Sequence, residues 1–223
     1  MATKTLILRP TSITVEDESL ISFYPAETSM DKAHLLVNEE VPDDDSTCII
    51  ISPGGTVYYY FDYIMPSDLD NVTNFKMIHK GRAEVSSSSA GNMLSNSISI
   101  ENNNYTMTGQ TYGESVEYKI TNCSIVGGDS SEEDFLNYFN TIKQNTAFYI
   151  KQSVGTATKN NPIRITQLYI EITYTTDTTT TYIKTNGSWV ETPITIYEKN
   201  NGSWITSNLS NLATKKYVLK EVP

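Results

Sequence analysis

The segment Pro162-Ile-Arg-Ile-Thr-Gln-Leu-Tyr-Ile-Glu-Ile-Thr-Tyr174 has the clearest two-residue periodicity in this chain of 223 residues. Leu168, Ile170, Ile172 and Tyr174 alternate with Tyr169, Glu171 and Thr173. Successive side chains of a strand point to opposite faces, so the pattern predicts a long antiparallel strand that is buried on one face. Such a strand needs a second layer to cover its apolar face, which indicates a layered β fold.

Shorter strand-like segments precede it along the chain. They are residues 5–9, 47–51, 56–65, 72–80, 95–100, 106–112, 116–120, 125–126 and 147–152. In the 72–80 segment, strict alternation predicts Val72 and Ile78 on one face and Phe75 on the other. Many short, evenly spaced strands are typical of an antiparallel β-sandwich or jelly roll, which is the fold class we expect.

One segment has helical rather than strand periodicity. Over residues 131–144, Phe135, Leu136, Phe139 and Ile142 form a single apolar stripe. Ser130 or Ser131 is in position to cap it, and three acidic residues follow in the first turn, where they favour the helix dipole. We predict one short helix covering an open end or edge of the sheet.

The C-terminal region contains a repeat. Tyr182-Ile-Lys-Thr-Asn-Gly-Ser-Trp189 recurs as Tyr197-Glu-Lys-Asn-Asn-Gly-Ser-Trp204. Each Asn-Gly pair between β-prone flanks predicts a two-residue hairpin turn. We therefore expect a body (residues 1–176), a threonine-rich linker (177–181) and an appendage of tandem hairpins (182–223). Isolated hairpins are marginally stable, so docking onto another surface is expected for the appendage, with self-association as one form of it.

Composition excludes several classes of function. The net charge of −10 argues against nonspecific nucleic-acid binding, which depends on basic residues. The sequence shows neither a signal peptide nor an apolar stretch of membrane-spanning length. Hydrolase, phosphate-loop and metal-protease motifs are absent, so we expect no catalytic residue, no metal site and no cofactor. A pair of carboxylates for glycoside hydrolysis remains open, since it needs only spatial proximity.

Three groups of residues are candidates for contacts. The interface candidates are Tyr182, Trp189, Tyr197 and Trp204. The repeat places the two tyrosines in equivalent positions of the two hairpins, and likewise the two tryptophans. Tyr58 and Tyr60 are weaker candidates for stacking on a glycan, against the alternative that they pack a core. Asp43, Asp44 and Asp45 could bind an ion, although their spacing lacks the features of an EF-hand and favours a solvated loop.

The two cysteines, Cys48 and Cys123, lie in strand-like apolar segments. Two cysteines do not make a disulfide framework, so buried free thiols are expected, with one bridge as the alternative.

Several short segments, taken in order, resemble a family. Leu6-Ile-Leu-Arg-Pro-Thr11, Leu35-Leu-Val-Asn-Glu-Glu-Val-Pro-Asp-Asp-Asp-Ser-Thr47, the strand 167–174 and the terminal hairpins are together similar to jelly-roll minor structural proteins of tailed-bacteriophage particles. The resemblance implies a virion location, assembly in the host cytoplasm and other virion proteins as partners. It transfers no catalytic residue.

The resulting prediction is a non-enzymatic structural component of a phage particle, from the head, neck or tail. The alternative is a carbohydrate-binding module that recognises a host-surface glycan or polysaccharide, since the same sandwich serves both functions. A hydrolase ranks third.

Overall fold

The structure is a computed structural model. It describes residues 2–41, 43–66, 68–84, 92–112, 117–128, 131–142, 147–156, 161–176, 181–185, 188–192, 197–200 and 203–206. From residue 177 onward it describes the backbone alone.

Strands dominate the chain. In order, the elements are β1 (Thr3–Leu8), β2 (Ser12–Val15), β3 (Ile21–Tyr24), β4 (Cys48–Ile51), β5 (Thr56–Phe61), β6 (Leu69–Ala83), β7 (Asn92–Ile100), β8 (Asn103–Tyr112), β9 (Lys119–Cys123), β10 (Ile125–Gly128), α1 (Glu132–Ile142), β11 (Phe148–Val154), β12 (Ile163–Thr176), β13 (Thr181–Thr185), β14 (Ser188–Thr192), β15 (Tyr197–Asn200) and β16 (Ser203–Thr206). Short 3₁₀ helices span Glu18–Leu20 and Met30–Val37. No helix in the described ranges has the length and apolarity needed to cross a membrane.

Two six-stranded antiparallel sheets form a sandwich. Sheet 1 has the order β3-β4-β12-β6-β9, and β1 pairs with the other half of β12. Sheet 2 has the order β10-β8-β7-β11-β5-β2. The expected all-β sandwich is therefore confirmed.

The strand β12 lies at the centre of sheet 1 and confirms the predicted alternation. It pairs with β6 on one side and with β4 and β1 on the other. Leu168, Ile170 and Ile172 are completely buried against sheet 2, whereas Tyr169 and Glu171 lie on the outer face.

The helix α1 covers one end of the sandwich with two phenylalanines. Ser131 caps it: its hydroxyl accepts from the Asp134 amide, and the Asp134 carboxylate accepts from the Ser131 amide. Phe135 and Phe139 pack on Phe75 of β6, at ring-centroid distances of 4.9 and 5.4 Å. The predicted position and apolar stripe of the helix are thus confirmed in the described part.

The prediction that Val72 and Phe75 lie on opposite faces is wrong. Both are buried, with about 1 % of each exposed. The pairing of β6 with β12 shifts register between Thr173 and Tyr174, so Val72 is opposite Tyr174 and faces the core. An extra residue in one strand moves every side chain beyond it to the other face of the sheet, and a strictly alternating pattern does not predict this.

The two C-terminal hairpins are present as separate two-stranded sheets. Thr185 pairs with Ser188, and Asn200 pairs with Ser203, so two residues separate the strands of each pair. The two Asn-Gly turns and residues 177–180 of the predicted linker lie outside the described residues. Thr181, predicted as the last linker residue, is instead the first residue of β13.

Gly81 of β6 is tightly enclosed and supports a stability prediction. A Cβ at this position would lie 2.8 Å from the Arg164 carbonyl oxygen and 2.8 Å from the Tyr112 hydroxyl. We expect Gly81→Ala to lower the free energy of unfolding by about 1–3 kcal/mol, because the backbone of β12 must move. Urea denaturation would measure it. Gly109→Ala is the control: its Cβ would meet the Leu94 carbonyl oxygen at 3.1 Å, so the loss should be smaller.

Candidate functional site

The outer face of sheet 2 carries three tyrosines side by side. In β5, Val57, Tyr59 and Phe61 point into the core, and this leaves Tyr58 and Tyr60 on the outer face. Tyr149 of β11 pairs directly with Tyr60. All three outer tyrosines are half-buried, so part of each ring is open to solvent. We call Tyr58, Tyr60 and Tyr149 the tyrosine cluster.

Tyr149 lies at the centre of the tyrosine cluster. Its ring centroid is 5.5 Å from that of Tyr58, with an angle of 73° between the ring planes. It is also 5.5 Å from that of Tyr60, at an angle of 50°. These edge-to-face and tilted contacts are favourable aromatic geometries, so the rings hold one another in place. The cluster is a rigid, ridged apolar surface with hydroxyl groups at its edge.

Charged and polar side chains frame the tyrosine cluster. The Tyr58 hydroxyl donates a hydrogen bond to Glu16, and the Lys151 ammonium lies 3.2 Å from the same carboxylate. The hydrogen bond from Tyr58 and the nearby Lys151 lower the pKa of Glu16. Thr14 donates from its hydroxyl to that of Tyr60, at 3.3 Å. An anion, a cation and hydroxyl groups thus border the rings.

A row of small polar residues continues the face across β7 and β8. Ser97 is paired with Lys151, and Ser99 with Tyr149. Ser99 donates to the side chain of Asn104 on β8. Beside the aromatic surface, the same sheet therefore offers hydrogen-bond donors and acceptors on a rigid scaffold.

The acidic residues predicted as ion ligands lie on the opposite side of the molecule. Asp44 and Asp45 contact basic side chains on the outer face of sheet 1, and the Asp43 carboxylate accepts hydrogen bonds from Thr47. Within the described residues, no group of three or more His, Cys, Asp or Glu side chains could hold a metal ion. The structure does not bring Asp43, Asp44 and Asp45 together with Tyr58 and Tyr60.

The interface candidates of the hairpins cannot be placed in the same way. The side chains of Tyr182, Trp189, Tyr197 and Trp204 lie outside the described residues, and docking through them stays a prediction.

His79 and Cys123 lie in the core between the sheets. The Gln152 amide contacts His79 Nδ1 at 3.4 Å and donates to Asn96 at 3.0 Å. Cys123 Sγ is 3.9 Å from His79 Nδ1. Burial lowers the pKa of His79 to about 4 and raises that of Cys123 to about 12, so both are uncharged near neutral pH. Cys48 and Cys123 are free and buried, as expected.

The comparisons with known proteins give no match to a family model and no match to a curated protein. Several solved structures are similar. A family 61 carbohydrate-binding module in complex with β-1,4-galactotriose is 9 % identical, with a TM-score of 0.41, over 73 % of this chain and 89 % of the other. The family 11 module from Clostridium thermocellum, in complex with a mixed-linked tetrasaccharide, is 7 % identical, with a TM-score of 0.37, over 75 % of this chain and 87 % of the other. A mannan-recognising module of family 27 is 6 % identical, with a TM-score of 0.36, over 78 % of this chain and 99 % of the other.

These neighbours correct the predicted function. They are carbohydrate-binding modules and not components of a phage particle, so this comparison contradicts the prediction of a structural protein of a phage particle. Similarity this low transfers neither a site nor a ligand to this chain. The resemblance to virion proteins and the virion location stay untested predictions.

Proposed function

We propose that this chain is a non-catalytic carbohydrate-binding domain that holds a glycan on the outer face of sheet 2. The observation that supports it is the tyrosine cluster: three half-buried rings packed together on a sheet face that also carries serine, threonine and charged side chains. Sugar rings have apolar C–H faces and polar edges. A surface that combines fixed aromatic rings with hydroxyl, amide and charged groups is complementary to both.

The polar side chains around the tyrosine cluster would orient the bound glycan. Glu16 and Lys151 lie side by side, and adjacent sugar hydroxyls could donate to the carboxylate and accept from the ammonium. Their mutual neutralisation leaves the site without a net charge from this pair, which suits a neutral sugar. Because the three rings and Lys151 lie on strands and Glu16 directly follows β2, little conformational entropy is lost on binding.

A binding role is preferred to hydrolysis. A glycosidase needs two carboxyl groups about 5–10 Å apart, one on each side of the scissile bond. Glu16, the carboxylate in contact with the cluster, is already engaged by Tyr58 and Lys151. The ligands named for the neighbouring structures belong to those proteins; the proposal rests on the tyrosine cluster.

A glycan array followed by calorimetry tests the proposal. Wild-type protein should bind a neutral oligosaccharide, and Tyr149→Ala should weaken that binding tenfold or more, because the central ring of the cluster is removed. Tyr169→Ala is the matched control, since Tyr169 lies on the outer face of sheet 1. Wild-type protein that binds no neutral glycan on the array would reject the proposal, as would unchanged affinity in Tyr149→Ala.

A further inference from the structure

The outer face of sheet 1 holds a concentration of positive charge. Arg82 of β6 is directly opposite Arg164 of β12, and Lys80 is two residues away on the same face of β6. Like charges in directly opposed positions destabilise a sheet unless they are neutralised. The side chains of these three cations are only 12–18 % exposed, so they belong to the framework of the sheet and not to its flexible surface.

A single carboxylate oxygen accepts from three donors. Asp45 Oδ1 accepts from Arg82 Nη2 at 3.1 Å, from Arg164 Nη1 at 3.4 Å and from the Tyr118 hydroxyl at 3.0 Å. Asp44 Oδ1 lies 2.5 Å from Lys80 Nζ. Two arginines and a hydroxyl that converge on one oxygen are an arrangement suited to binding a carboxylate.

The Asp45 carboxylate lies in an exposed loop, whereas the arginines that bind it are largely buried. We call residues 43–46 the aspartate loop. The Asp45 side chain is 74 % exposed, and Asp44 has a left-handed backbone conformation with φ of 58°. Glu84, by contrast, binds Arg164 through two hydrogen bonds of 2.7 and 2.8 Å from the end of β6. If the aspartate loop moved away, three cations would face one remaining carboxylate.

Space and aromatic surface are available next to this site. A groove of about 530 Å³ is lined by Tyr24, Pro25, Ala26, Glu27, Asp45 and Ser46. The Tyr118 ring centroid lies 5.1 Å from the Arg82 guanidinium, and that of Tyr24 lies 6.0 Å from the Arg164 guanidinium. Ring faces therefore flank the cations at two points, and aromatic rings beside cations are complementary to a sugar ring that carries a carboxylate.

We propose that Lys80, Arg82, Arg164 and Tyr118 form a second binding site, specific for uronate residues of an acidic glycan, in which the aspartate loop is a built-in competitor. The bound uronate takes the place of the Asp45 carboxylate. Because the loop is tethered, it competes at a high effective concentration, so the intact chain binds weakly. Removal of the loop's charges releases the site. This inference does not depend on the tyrosine cluster.

Calorimetry with hexagalacturonate at low ionic strength tests the proposal. The double variant Asp44→Asn, Asp45→Asn keeps the side-chain shapes, and asparagine tolerates the left-handed conformation at position 44. We expect it to bind the probe at least tenfold more tightly than wild type. Addition of 0.5 M salt should reverse the gain, because the attraction is between charges.

Three further variants and one further probe distinguish a uronate site from general binding of anions and from the neutral-glycan site. Arg82→Gln in the double-variant background should abolish binding of the probe, and Lys80→Gln replaces it should Arg82→Gln fail to fold. Tyr149→Ala in the same background should leave uronate binding unchanged, so a failure of the proposed neutral-glycan site is recognised separately. The proposal is overturned by a double variant that binds no better than wild type, or by one that binds polyglutamate but not hexagalacturonate.

Discussion

Phe75→Ala should lower the free energy of unfolding by about 3–5 kcal/mol, the range for deletion of a buried phenylalanine side chain. Phe75 is 1 % exposed and joins three elements: its ring contacts Phe135 and Phe139 of α1 and Phe148 of β11. Its removal leaves a cavity where the helix meets both sheets, and neighbours on strands cannot collapse far into it.

Urea denaturation at neutral pH would measure this loss. Phe75→Leu is the matched control, because it keeps an apolar side chain in the same place and should cost clearly less. If Phe75→Ala lowered the free energy of unfolding by less than about 1 kcal/mol, α1 would not cover the sandwich as described.

Stability should fall as the pH is lowered from about 6.5 to 4, and His79 should account for about 3 kcal/mol of the loss. The pKa of His79 is lowered from its ordinary 6.5 to about 4, with burial as the cause. Between these values the unfolded chain binds a proton that the folded chain does not, so acid favours unfolding. Above pH 6.5 the histidine is neutral in both states, and its contribution to stability is complete.

The comparison with His79→Gln isolates this effect. Glutamine can hydrogen-bond in the core but does not titrate, whereas the surface carboxylates titrate in both proteins. The difference between wild-type and variant stability should therefore change by about 3 kcal/mol across this pH range. Parallel pH profiles would show that His79 is not the group responsible.

The sequence predicts the elements whose signals are local. Period-two alternation in β12, the capped apolar stripe of α1 and the spacing of the hairpin strands all depend on residues within one segment, and each was predictable. The facing of Val72 was not, because the register shift depends on how β6 pairs with a strand almost 100 residues later. Register in such a pair is a tertiary property.

The candidate sites were predictable only in part. Tyr58 and Tyr60 were identified from their aromatic strand, but Tyr149, which completes the cluster, was not. Its alternation with Ile150 indicates an outward side chain, yet only the pairing of β11 with β5 places it beside Tyr60. Likewise, Arg82 and Arg164 are cross-strand partners only because two strands that are distant in sequence pair with each other. The aspartates are recognisable in sequence, but their cationic partners are not.

An NMR titration of the labelled full chain with the neutral oligosaccharide selected on the array would locate the bound glycan. We expect the shifted backbone amides to lie on sheet 2, in residues 56–61, 95–100 and 148–154, and we expect these shifts to disappear in Tyr149→Ala. Shifts that lie instead on β6 and β12 of sheet 1, with sheet 2 unchanged, would rule out glycan binding at the tyrosine cluster.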